Sequence, residues 1–76
     1  MIIRNIEQLI NDSANGEQFL KAVKFAYKDI TAEQVIDDID FWQSQTMVNQ
    51  HERIIVIQSL TILNREIAIK KKLEQQ

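Results

Sequence analysis

The chain has 76 residues, one glycine, no proline and no cysteine, with 45% apolar residues, 26% charged residues and a net charge of −2. These are the proportions of a folded globular domain, and they exclude a disulfide framework, a thiolate metal site and a thiol nucleophile. The longest apolar run, Ile54–Ile57, is far short of the roughly 18 residues a bilayer span needs, and Met1-Ile2-Ile3-Arg4-Asn5 offers no secretory apolar stretch, so the expected location is the cytoplasm.

The apolar residues recur at helical spacing throughout. Ile2, Ile3, Ile6, Leu9 and Ile10 step by three and four, which predicts a first short helix over 2–10. Asn11-Asp12-Ser13-Ala14-Asn15-Gly16 is a run of turn formers around the only glycine. A second helix is expected over 17–27, with Phe19, Leu20, Val23 and Ala26-Tyr27 on one side and Lys21, Lys24 and Lys28 on the other. Thr31 and Gln34 then have capping-box spacing, in which the hydroxyl accepts an orphan backbone N–H and the amide side chain reaches back to the cap. Ile30 and Val35 add the flanking apolar contact of a hydrophobic staple. A third helix therefore starts at Ala32 and runs to about Gln43 along Val35, Ile36, Ile39 and Trp42. Asn49 and Glu52 repeat the capping spacing and open a fourth helix over 49–73. The alternative is one continuous helix from Thr31 of about 65 Å, too long for so small a domain to cover unless chains associate.

The fourth segment is apolar on more of its circumference than one core requires. Val48, Ile55, Ile62, Ile69 and Leu73 form one line at about 100° per residue; Val56, Leu60, Leu63 and Ile67 form another. Ile54, Ile57 and Ala68 fall on the remaining side among Arg53, Thr61, Asn64, Arg65, Lys71 and Lys72. A helix covering one core needs a stripe only a little over 100° wide. The 56–60–63–67 line has the spacing of a short coiled-coil seam and is the expected contact between two copies. Size points the same way: below about 70–80 residues a single core rarely supplies more than about 3–5 kcal/mol, and association is the supplement this composition leaves open. A homodimer is the expectation, although a tight bundle that buries both stripes within one chain fits the same pattern.

Charge is segregated along the chain. Asp29, Glu33, Asp37, Asp38 and Asp40 crowd one segment without a Lys or Arg, whereas Lys70-Lys71-Lys72 lie near the far end. In an antiparallel pair of final helices those lysines would approach the acids of a second copy; alone, they complement the carboxyl end of their own helix dipole. Glu33, Asp37 and Asp40 share a helix face, but Glu52, Glu66 and Glu74 do not complete a second carboxylate face for Mg²⁺, so no metal and no cofactor are expected. His51 is the only histidine and has neither a zinc-spaced partner nor a nucleophile arrangement; its wheel position beside Ile55 and Ile62 predicts partial burial. The single glycine rules out a glycine-rich phosphate loop. Phe41 and Trp42 diverge by about 100°, so Trp42 continues the core stripe and Phe41 is either an interface anchor or a filler under the final helix.

The segments 17–27 and 32–42 have helix-turn-helix proportions, but the second carries four acids and no base, which opposes docking on DNA. The expected fold is all-α, a small bundle of three to four helices with a long C-terminal helix, completed by dimerisation. The expected function is that of a non-enzymatic regulatory or adaptor protein. Its partner, a protein with a basic surface, would meet Glu33, Asp37, Asp38, Asp40 and Phe41, or the uncovered stripe of the last helix. A DNA-binding regulator using Lys21, Lys24 and Lys28, and a small metal-dependent hydrolase, are the alternatives; neither nucleic acid nor a membrane is the expected partner.

Overall fold

The computed structural model describes residues 1–75. It is all-helical, with α1 over Ile6–Asn11, α2 over Gly16–Ala26, α3 over Ala32–Gln45 and α4 over Gln50–Glu74. Both capping boxes form. Thr31 Oγ1 accepts from Gln34 N at 3.1 Å and Gln34 Oε1 accepts from Thr31 N at 2.9 Å. Asn49 Oδ1 accepts from Glu52 N at 2.8 Å and Glu52 Oε1 accepts from Asn49 N at 2.9 Å. Thr46–Asn49 is therefore a genuine break rather than a stretch of one long helix.

The first expected helix is shorter than its apolar spacing implies. Residues 1–3 have no regular secondary structure and helix begins only at Ile6. Ile3 is nevertheless fully buried, because the amino-terminal segment is strapped across the bundle. The Asp38 carboxylate accepts from Ile2 N at 2.8 Å and Ile3 N at 2.7 Å, and Tyr27 Oη accepts from Arg4 N at 3.1 Å. In a helix starting at Ile2 these first N–H groups would have no acceptor within the helix; here side chains from elsewhere satisfy them.

α4 is the axis of the molecule. It packs against α1, α2 and α3; α1 touches the other three, and α2 and α3 flank α4 without touching each other. One core cluster results, built from Ile3, Ile6, Ile10, Phe19, Leu20, Val23, Val35, Ile39, Trp42, Ile55, Val56 and Leu63. On α4 the covered sector contains Glu52, Ile55, Val56, Ser59 and Leu63, so it lies between the two apolar lines seen in the sequence and takes residues from each. This corrects the expected contact between copies: Val56 and Leu63 are buried within their own chain, and Leu60 and Ile67 are half-buried against it.

Polar ties fix α4 to the first half of the chain. Asn11 Nδ2 donates to Glu52 Oε2 at 2.9 Å, Gly16 N donates to Gln58 Oε1 at 2.8 Å, and Lys24 Nζ pairs with Glu66 Oε1 at 2.8 Å. Gly16 lies directly on α4: a Cβ there would come within 2.6 Å of Gln58 Cβ and 2.7 Å of Ser59 N. The start of α2 approaches α4 backbone so closely that only a hydrogen fits. Beyond Ile67 every described residue of α4 is exposed, so its last two turns project from the body, and the described molecule measures 41 × 22 × 22 Å with them included.

Candidate functional site

The surface divides into two chemically opposite faces on neighbouring helices. On α3 the inward stripe is Val35, Asp38, Ile39 and Trp42. The opposite side exposes Glu33, Asp37, Asp40 and Phe41, with no cation among them. Phe41 is 55% exposed, whereas its neighbour Trp42 is buried at 6%. Their divergence around the helix makes one a core residue and leaves the other as an aromatic in water.

Asp38 does not belong to this face. It is buried and both its hydrogen bonds go to the amino-terminal strap, so its role is to hold Ile2 and Ile3. A buried carboxylate that accepts backbone N–H groups is structural, and the acidic face reduces to Glu33, Asp37 and Asp40. His51 is also placed differently from the expectation, exposed in the first turn of α4 rather than packed beside Ile55.

On α4 the side away from the core exposes Ile54, Ile57, Ala68 and Ile69 between Arg53, Arg65, Lys71 and Lys72, with no carboxylate. Glu66, the one acid in the middle of the helix, is turned towards α2 and paired with Lys24. A shallow groove of about 370 Å³ runs along the α2 edge of this face, lined by Asn15, Glu17, Ile57, Gln58, Thr61 and Ile62. It brings together no set of groups for acid–base or nucleophilic chemistry. Among the described residues, no three His, Asp or Glu side chains cluster in a way that would hold a metal ion, and no helix is long and apolar enough to cross a membrane.

The structure also exposes two large side chains that sequence reasoning left unassigned, Phe25 at 85% and Met47 at 96%. Phe25 lies off the Phe19–Leu20–Val23 stripe and follows Lys24 directly, and that was the available signal. Lys21, Lys24 and Lys28 are exposed as expected, but Glu17 is within 3.6 Å of Lys21 and Glu66 is on Lys24, so this side of α2 is not an unbroken positive patch.

No protein-family model, no curated protein and no solved structure matches the chain.

Proposed function

We propose that this chain is a non-enzymatic regulatory or adaptor module that works by binding another protein through the outer face of α3. One observation carries the reading: Glu33, Asp37 and Asp40 are exposed on the helix face that also carries the exposed ring of Phe41, and no Lys or Arg lies on α3. An aromatic side chain offers a large contact area, and hot spots of interfaces are enriched in such anchors surrounded by polar residues. The carboxylates around it select a partner with a basic surface and accelerate its approach, which is what charge complementarity contributes most. Such a module acts by occupying a basic site, as an inhibitor or a tether would.

The test is affinity capture from the native host with wild type, Phe41→Ala and the double variant Glu33→Lys/Asp37→Lys. All three positions are exposed, so the fold tolerates the changes. A captured protein with a basic surface that disappears with either variant supports the reading. The same proteins captured by all three baits overturn it.

A further inference from the structure

The acidic face of α3 has its chemical complement on the same chain. The outer side of α4 carries Arg53, Arg65, Lys71 and Lys72 around Ile54, Ile57, Ala68 and Ile69, and no acid. The two helices are neighbours joined by Thr46–Asn49, and Ala32 and Glu33 line one groove with Ile67 and Lys70. The start of α3 is therefore level with the far part of α4, and the pair is antiparallel. We propose that two copies of the chain associate through these faces, the outer side of α3 in each copy lying on the outer side of α4 in the other.

A two-fold axis running along the helices produces this arrangement. Such a rotation preserves height along the bundle, so, counting back from the level of Glu33 and Ile67 at 1.5 Å per residue, Asp37 of one copy comes level with the turn of the second that holds Arg65, and Phe41 with the turn between Ile57 and Thr61. The other in-plane axis would lay α3 on α3 and oppose carboxylate to carboxylate, which is repulsive. Both halves of the contact are repeated by the symmetry, as an isologous interface requires. This contact differs from the 56–60–63–67 seam, in which Val56 and Leu63 are buried internally. Its length is limited by α3, 14 residues or about 21 Å. The buried area then falls at the low end for specific complexes, below about 1,200 Å² in total. The dimer is accordingly weak, reversible and salt-sensitive.

The inference rests on the same exposed acidic face as the proposed partner site, so self-association and partner binding compete. A basic partner would separate the dimer by taking the α3 face from α4.

Sedimentation velocity of the full chain across concentration, at low and high salt, tests the proposal, with circular dichroism confirming each variant is folded. Wild type is expected to sediment as a concentration-dependent dimer at low salt and to dissociate at high salt. Arg65→Glu/Lys71→Glu and Glu33→Lys/Asp37→Lys are each expected to be monomeric, and the quadruple variant to regain the dimer. A wild type that stays monomeric at millimolar concentration in low salt overturns the proposal. So does a dimer that survives either reversal, or a quadruple variant that does not recover it. The α4 reversal leaves the α3 face intact, so loss of its dimer with retained partner capture separates this proposal from the functional one.

Discussion

Asp38 and Gly16 show how single residues decide what the rest of the surface is free to do. Asp38 sits among acids in the sequence, and periodicity alone groups it with Asp37 and Asp40. Its position on the inward stripe and its bonds to Ile2 N and Ile3 N make it the clip of the amino-terminal strap. Asp38→Ala is expected to leave two backbone donors without partners at a cost of about 1–3 kcal/mol, read as a lower melting temperature and faster amide exchange at Ile2 and Ile3. Gly16 works by absence. Its backbone conformation is not unusual, but the α4 backbone fills the space a side chain would take. Gly16→Ala must push α2 from α4 and stretch the Gly16–Gln58 bond; overpacking of this kind costs about 1–3 kcal/mol. At about 4–8 °C per kcal/mol for a domain of this size, thermal melting resolves that readily. Neither role was legible beforehand, because both depend on a partner 35 or more residues away.

Among the elements, those whose limits are set by local chemistry were the most legible. The starts of α3 and α4 follow from capping boxes, each closed within four residues, and those ends agree with the spacing of Thr31/Gln34 and Asn49/Glu52. The Asn49 box has a second function that spacing does not reveal. Glu52 Oε1 accepts from the cap backbone while Oε2 accepts from Asn11 Nδ2, so one carboxylate holds a helix start and a neighbouring helix end together. Glu52→Gln is therefore expected to destabilise more than the loss of an ordinary cap, by about 1–3 kcal/mol. The amide places an N–H₂ against either Asn11 Nδ2 or Asn49 N, and donor meets donor. Chemical denaturation of Glu52→Gln beside Thr31→Ala, which removes only a local cap at about 1 kcal/mol, measures the difference. The helical wheel of α4 was legible only as an excess of apolar circumference. Which sector the chain covers is fixed by where Gly16, Asn11 and Lys24 attach, and those contacts choose the side centred on Ser59.

For the whole molecule, the all-helical class follows from periodicity, while the arrangement follows from how three shorter helices share one long one. α2 and α3 lie on opposite flanks of α4 and leave its outer side bare, and that gap is what gives the molecule a basic face beside an acidic one. The candidate contact residues Glu33, Asp37, Asp40 and Phe41 were accessible to sequence reasoning because their exposure is a property of one helix. The bare side of α4 was not, because its exposure is a property of four.

The cross-ties have a regular spacing. Ile3 reaches Asp38, Asn11 reaches Glu52, Gly16 reaches Gln58 and Lys24 reaches Glu66, at separations of 35, 41, 42 and 42 residues. The first half of the molecule is thus laid against the second like one side of a zip, advancing in step. The one core cluster takes six of its residues from the chain up to the end of α2 and six from α3 and α4, so it is complete only when both sides are present. Helical domains owe fast folding to contacts between near neighbours in sequence. Here the ties that join the two halves are distant, and each must wait for a loop of about half the molecule to close.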